Sequence, residues 1–594
     1  MIHTNSKPIP GHAERPPSRR TLRRRWLSTF YREEDGAVVA LTLFVLLLML
    51  VAGGIATDFM RHEMERAKLQ NTLDTATLAA AGAPFGSTPK DIVEDYFAKA
   101  KMSSYLNEIK DTDVIATTNS TSITASADKT IDTYLMKLSG VKQLSMHAVS
   151  TAERRVPHLE VAMVLDVSGS MGSNSKLTNL KTAAKQFVTT ILSGSKPGEA
   201  VLSVVPFSWD VTPGTDIFDA LNVDTRQNYS TCLEFDADDY TSAAIDPSVQ
   251  QTQMIYTSMY DNGFGTSKLN STYRTCYTEE YNEILAYQIS ETRLHAKINS
   301  LQANGNTSGH MGMKWGAALL DPKFSTVKTA LTATQVDPDE VVAEGDTAEM
   351  VVSSLVGDVP AAYTEPETLK IIVMMGDGQN TYSNQFPADS EYRGPNSYLY
   401  NVTWEEQQFQ YAYKKNNVSK TSHSESKCSK SSWECVYEST MESAYYLYDP
   451  RDDEYLNLRE DRTISKWEFN NLASTLDGYI STERLSWEMA WGMMSPDFLD
   501  KEFNYNTAEV QFENTGDVSG YQKDLRMRSI CTAIKNKGVL VYTIGFEVGV
   551  NSTAEQELKK CASSDAHYYR AQGINITDAF SSIASNVVNL RLTQ

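Results

Sequence analysis

Hydrophobic and polar positions alternate along this chain in three distinguishable ways. Over residues 37–55 almost every position is apolar and none is charged, with Val38, Val39, Leu41, Leu47, Leu50 and Val51 among them. About 20 residues at ~1.5 Å rise cover the roughly 30 Å hydrocarbon core of a bilayer, so this block predicts one transmembrane helix. Short, predominantly apolar runs at 159–165, 201–205, 369–375 and 539–546 have the character of strands buried on both faces. Between them the spacing turns helical. Leu177, Leu180, Ala184, Phe187, Val188 and Ile191 form one stripe, and Phe580, Ile583, Val587 and Leu590 form another. Residues 525–537 read as a helix ending at Gly538, a residue suited to the position after a helix. Strands and helices that alternate in this way predict an α/β fold, with a mostly parallel sheet covered on both sides.

The remaining stretches carry weaker patterns. Residues 84–155 read as a small α/β module: an amphipathic helix at 92–106, a hairpin from 114–118 and 122–125, a helical turn at 134–138 and a strand at 144–151. No chemistry is visible in it, and a stalk, a packing domain or a spacer would all fit. The α/β frame occupies 156–594 and is interrupted by two insertions, at about 208–298 and 381–517, rich in Tyr, Ser or Thr, and Asn. Loops of that length are usually functional or fold by themselves. Both leave strand ends of the frame. Their composition is common on recognition surfaces, although generic extracellular loops share it. The Tyr-rich spacing at 392–413 reads as packing within the second insertion.

At 594 residues the chain is too long for one ordinary core, and two or three units are expected. The net charge of −21 argues against a general nucleic-acid binder. That charge is unevenly spread: residues 1–34 are basic, with Arg19, Arg20, Arg23, Arg24 and Arg25, and their composition predicts a disordered tail. By the positive-inside rule this tail is cytoplasmic, and the mass after the apolar block lies outside, in the periplasm of a bacterium. The block runs on into Asp58, Arg61, Glu63 and Glu65, which favours an uncleaved anchor; a cleaved signal peptide, with small-residue sites around Ala79 to Ala83, is the alternative. All six cysteines follow the block and none makes a Cys-x-x-Cys pair, which fits an oxidising compartment. Six cysteines allow about 15 pairings; proximity in sequence, which is only a hint, favours Cys232 with Cys276, Cys428 with Cys435 and Cys531 with Cys561, and buried free thiols are the competing reading.

The chemistry concentrates in one loop, Asp166-Val-Ser-Gly-Ser-Met171, at the C-terminal exit of the first apolar strand. In open α/β sheets ligands sit outside the carboxyl ends of strands. One carboxylate and two hydroxyls at alternate positions are hard oxygen donors, which suit Mg²⁺ or Mn²⁺. The Asp-x-Ser-x-Ser pattern resembles the metal-ion-dependent adhesion site of von Willebrand factor A domains. The resemblance implies two further ligands on later loops, and both stand in order: Thr307 in Ala303-Asn-Gly-Asn-Thr-Ser-Gly309, and Asp377 in Met374-Met-Gly-Asp-Gly-Gln-Asn380. It also implies the fold, a Rossmann-like, doubly wound, mostly parallel domain, and a binding mode in which an acidic residue of a protein partner completes the metal shell. The alternative is a loop that keeps these residues only for its own hydrogen bonds.

A second resemblance lies at the N-terminus. Asp35-Gly-Ala-Val-Val-Ala40, the apolar run, Asp58 and Leu69-Gln-Asn-Thr-Leu-Asp-Thr-Ala76 look like the anchor of TadE/TadG-type Tad (Flp) pilus-assembly proteins. Related prepilins are cut after a Gly that has Glu five residues on. Here that position is Leu41, so the resemblance implies an unprocessed anchor of the TadG type, over about 35–83. Together the two resemblances imply a single-pass inner-membrane protein with a periplasmic A domain, contacting a pilus-assembly component through a metal. A cell-surface adhesin using the same domain is the rival. Enzymatic readings find little support. There is no Gly-x-Ser-x-Gly around Ser168 or Ser170 and no nucleotide-binding Gly-x-x-x-x-Gly-Lys loop, and His310 reads as a histidine that supports the metal loop from behind or lies at the surface. The acidic run 449–453 with Glu460 and Asp461 lacks the EF-hand glycine and reads as a solvated loop.

Overall fold

The computed structural model describes residues 35–82, 88–116, 120–155, 158–193, 195–260, 263–336, 350–365, 367–415, 424–504, 507–515 and 518–593. The basic tail expected over 1–34 lies outside them. The chain divides into two compact units, 1–154 and 155–594.

In the first unit a single helix, α1 (Asp35–Ala81), runs for 47 residues, about 70 Å. Its two ends have different surroundings because their side chains differ. Val38, Leu41, Leu46, Met49 and Leu50 are all more than half exposed, as befits a helix long and apolar enough to cross a membrane. Leu69, Leu73, Ala76 and Ala80, at spacings of three and four, are fully buried instead. They form a core with Val93 and Phe97 of α2 (Pro89–Lys99) and with Ile123, Ala125, Ala127, Met146 and Ala148 of a three-stranded sheet. That sheet has the order β1 (Val114–Ala116), β2 (Ser120–Asp132), β3 (Gln143–Arg155). The helix expected over 92–106 is shorter: it stops at Lys99, and a separate 3₁₀ turn covers Ser103–Tyr105. The anchor and the small module are thus one packed body.

The second unit is built on a six-stranded sheet. Its strands are β4 (His158–Asp166), β5 (Ala200–Phe207), β6 (Leu285–Gln288), β7 (Thr368–Gly376), β8 (Leu540–Phe546) and β9 (Tyr568–Ala571), in the order β9-β8-β7-β4-β5-β6. All neighbours are parallel except β6, which joins β5 antiparallel at the edge. Each of the four expected apolar runs is one of the interior strands. Alternation along β4 divides the interior in two. Leu159, Val161, Met163 and Leu165 face a core with the helices Lys176–Ser193, Glu291–Ser300 and Ile576–Thr593; Ala162 and Val164 face one with Gly309–Leu319, Gly520–Lys535 and Thr553–Cys561. Leu590, expected on the last helix's stripe, has a side chain outside the described set.

The insertions are ordered bodies. Leu285–Gln288 and the helix Glu291–Ser300, which the sequence reading places inside the first insertion, belong to the frame: one is the edge strand, the other packs on the core. In the second insertion a long hairpin, Leu399–Lys414 with Trp433–Asp449, lies at the heart of a five-stranded sheet. Trp209, Ile255, Met259 and Tyr277 of the first insertion share a core with Phe386, Tyr392, Trp487 and Trp491 of the second. Tyr392 is therefore packing, as its spacing suggested. The disulfides are Cys232–Cys276, Cys428–Cys435 and Cys531–Cys561. The first staples one insertion, the second sits near the hairpin tip, and the third joins the frame helices Gly520–Lys535 and Thr553–Cys561.

Candidate metal centre

Strands β4 and β7 lie side by side at the centre of the sheet, and the chain leaves them toward opposite faces. After β4 it enters the helix Lys176–Ser193 on one face; after β7 and the second insertion it enters Gly520–Lys535 on the other. A crevice opens where such connections part. Asp166 ends β4, Asp377 follows β7 directly, and Glu547 follows β8. Three neighbouring parallel strands thus each deliver a carboxylate to the same edge.

The loop after β4 is shaped by that carboxylate. Asp166 Oδ1 accepts the N–H of Ser168 at 2.8 Å, and Asp166 Oδ2 faces the N–H of Asp377 at 3.4 Å. Ser168 precedes a 3₁₀ turn, Gly169–Gly172, which folds the second hydroxyl back. Ser168 Oγ and Ser170 Oγ are 3.0 Å apart, and Ser170 Oγ donates to Asp377 Oδ1 at 2.7 Å. The loop carrying Thr307 is held against the first loop by backbone bonds. Gly169 N–H donates to Gly305 O at 2.9 Å and Asn304 N–H to Val167 O at 2.8 Å. A Cβ on Gly169 would stand 3.1 Å from Gly305 O, so a larger residue would crowd the other loop's backbone there. Thr307 and Asp166 line the same small cleft, of about 20 Å³. Asn380 ties the third loop in: its Oδ1 accepts Gly309 N–H at 2.7 Å and its Nδ2 donates to Asp524 at 2.8 Å. Asp166, Ser168, Ser170 and Asp377 meet through direct contacts, and Thr307 joins them at the cleft wall.

Electrostatics mark the site. Asp166 is fully buried; that burial, and next the Asp377 carboxylate beside it, push its pKa up to about 7. A residue outside the expected set balances the charge: Lys176 Nζ donates to Asp377 Oδ2 at 2.9 Å and lies 3.9 Å from Glu547 Oε2. At the first turn of a helix a lysine reads as surface, so nothing in its spacing marked it. Glu547 carried a readable signal, an acid placed directly after an apolar strand, as Asp377 is. Among the described residues no three His, Cys, Asp or Glu side chains are arranged so that they alone could hold a metal ion, so a cation here depends on hydroxyl oxygens. The donors present fit that need: all are hard oxygens, and the burial that disfavours the charged Asp166 carboxylate is a penalty a dication would relieve.

His310 stands apart from this chemistry. It is buried against the Tyr240 ring, centroids 5.2 Å apart, and burial followed by the Lys523 and Arg526 charges holds its pKa well below the usual imidazole value. Neither serine hydroxyl reaches it among the described contacts. The acidic run is equally unlike a cation cage, since Asp453 pairs with Lys466 at 2.8 Å and accepts from Tyr448 Oη at 2.6 Å.

Comparison with known proteins adds a definite assignment at one end of the chain. Residues 36–83 match the family described as "Putative Flp pilus-assembly TadE/G-like", so the chain carries a TadE/G-like domain there. No curated protein matches the chain. Among solved structures it is similar to the von Willebrand factor domain of the type V pili tip protein Mfa5 from Porphyromonas gingivalis, with 13% identity and a TM-score of 0.30, covering 74% of this chain and 98% of that one. It is also similar to the pilus adhesin SpaC from Lactobacillus rhamnosus GG, with 10% identity and a TM-score of 0.27, over 80% of this chain and 33% of the adhesin. For the pilus adhesin RrgA from Streptococcus pneumoniae the figures are 12% and 0.28, over 81% of this chain and 48% of RrgA. The chain thus spans a third to a half of the two longer adhesins.

Proposed function

We propose that this chain is a membrane-anchored, non-enzymatic component of Tad/Flp pilus assembly or anchoring, and that its 155–594 unit is a von Willebrand factor A domain making Mg²⁺-dependent protein contacts. The TadE/G-like domain at 36–83 supports the pilus role. The observation that carries the metal reading is the convergence of Asp166, Ser168, Ser170 and Asp377 where β4 and β7 diverge, with Thr307 on the same cleft. These five residues would hold the ion, Mg²⁺ or Mn²⁺. Bound there, it supplies a dication with an exchangeable position for an acidic side chain of a partner.

The chain's own residues prepare that contact. Backbone N–H groups fix the Asp166 carboxylate, Ser170 fixes one oxygen of Asp377, and Lys176 fixes the other. The second insertion leaves the frame a few residues after Asp377 and shares a core with the first; on this reading the two together choose which partner reaches the site. The basic N-terminal flank supports a cytoplasmic N-terminus, with 155–594 in the periplasm.

The test is a count of surface pili on cells carrying Asp166→Ala, at matched protein level and with an intact trypsin-resistant core. Lost pili are the expected result. Normal pili would sink the assembly role for this site; unchanged pili with lost surface attachment would move the domain to adhesion.

A further inference from the structure

The loop joining β2 to β3, residues 133–142, is clamped onto α1 at the point where the apolar block ends. Asp58 accepts three successive backbone N–H groups of the loop: Tyr134 at 3.0 Å, Leu135 at 2.7 Å and Met136 at 2.8 Å. This carboxylate caps the 3₁₀ turn Met136–Ser139 from another element. Leu135 presses on Gly54 so closely that a Cβ there would stand 2.6 Å from it. Arg61 stacks over the Tyr134 ring at 4.1 Å and donates to Asp132 O. Thr133 Oγ1 closes the loop on Val141 O at 2.6 Å. The loop is therefore rigidly registered to residues 54–61 of the helix.

What it presents outward is apolar. Tyr134 is 67% exposed, Leu135 44%, Leu138 73% and Val141 38%. Phe59 and Met60, on other faces of the same turn of α1, are 56% and 66% exposed. Lys137 and Lys142 flank this patch and are exposed too. Single exposed leucines are ordinary, but four exposed apolar side chains on one short loop, interleaved with lysines, mark a contact surface. Its position identifies the contact. The apolar stretch from Val38 to Ile55 rises about 27 Å, close to the ~30 Å hydrocarbon thickness. Gly54, and the loop resting on it, then sit at the boundary between acyl chains and headgroups. Tyr and basic residues beside an apolar surface are the side chains that settle at this depth.

We propose that the β2–β3 loop is a membrane-seated foot: Tyr134, Leu135, Leu138 and Val141 enter the interfacial layer of the leaflet from which α1 emerges, and Lys137 and Lys142 meet lipid phosphates. The ligand is the lipid surface. This rests on α1 crossing the bilayer, and the test separates the two claims. All six cysteines are in disulfides, so a nitroxide reagent marks only an introduced thiol. The full chain is placed in nanodiscs of phosphatidylcholine with some phosphatidylglycerol, labelled at Leu138→Cys, at Leu47→Cys within the apolar block, or at Lys110→Cys on the module's surface. Oxygen and a water-soluble nickel chelate are then compared as relaxing agents.

The foot predicts that the label at 138 resembles the label at 47, with oxygen contact exceeding nickel contact several-fold, and that the label at 110 shows the reverse. A lipid-like 47 with a water-like 138 would overturn the foot and leave the anchor standing. A label at 138 shielded from both agents would mean that protein, not lipid, covers the patch, and would overturn it as well. A water-like 47 would remove the anchor and the foot together.

Discussion

Replacing Lys176 by methionine keeps the length of the side chain and removes its charge, which makes it a sensitive probe of the candidate centre. The ammonium sits 2.9 Å from Asp377 Oδ2, and the two side chains are 11% and 0% exposed. At an effective dielectric of about 20 that contact is worth roughly 6 kcal/mol in gross Coulomb energy. Breaking one side of a buried pair costs about 3–5 kcal/mol net, because the other charge is left behind. The residual burden falls on Asp377 and on Asp166 beside it. In chelator the apparent unfolding temperature of the full chain in detergent should fall by on the order of 5–10 °C. A dication would replace the missing charge. At about one hundred times its dissociation constant it restores ~2.7 kcal/mol, so Mg²⁺ should recover more than half of the loss and should stabilise the variant more than the parent chain. An equal deficit with and without Mg²⁺ would refute the reasoning, since the carboxylates would then have no metal to turn to.

Two further perturbations test the frame behind the site. A Cβ on Gly312 would lie 2.7 Å from both Val164 and Phe207, so Gly312→Ala should overpack the helix against β4 and β5 and lose on the order of 1–2 kcal/mol despite its better helix propensity; an unchanged or raised unfolding midpoint would contradict that packing. Lys314 is buried beneath three carbonyl acceptors, those of Asp239, Ser242 and Ala244, and burial lowers its pKa to about 8. The unfolded chain then holds more protons than the folded one between pH 8 and the usual lysine value near 10.5. This group's contribution to stability is therefore smallest below pH 8 and grows as pH rises. Lys314→Met lacks that gain, so its deficit relative to the parent should widen by on the order of 2 kcal/mol between pH 7 and 10 in denaturant titrations. A deficit independent of pH would show that the lysine titrates normally.

Much of this arrangement can be read from residue order because it rests on strong local signals. The interior strands are predominantly apolar runs, and the runs 159–165 and 369–375 end within a residue or two of Asp166 and Asp377; a turn chemistry of Asp, Ser, Gly and Ser needs no tertiary knowledge to be noticed. The same holds for α1, whose character changes from exposed and apolar to packed between Val51 and Leu69. Less legible were features set by distant contacts. Lys176 reads as a solvated first-turn residue until Asp377 closes over it. Glu547 gains meaning only when β8 falls beside β7. The strand Leu285–Gln288 is too short to stand out from the Tyr-rich segment before it, which is why the first insertion reads as longer than the fold makes it. Gly309, Gly312 and Gly316 look like weak points in a helix and are contact points with Met374, Phe207 and Val164. Asp58 looks like the end of a membrane segment and is a cap for a loop some 76 residues away in sequence.

The most direct measurement is a Mn²⁺ titration of the purified full chain, following the loss of the free-ion resonance, with Mg²⁺ as competitor and Asp166→Ala and Asp377→Ala as controls of unchanged circular dichroism. A single site per chain, displaced by Mg²⁺ and absent from both variants, is the predicted result. No saturable binding to the parent chain, or binding that survives both substitutions, would contradict the central claim and leave the loop as a hydrogen-bonded turn.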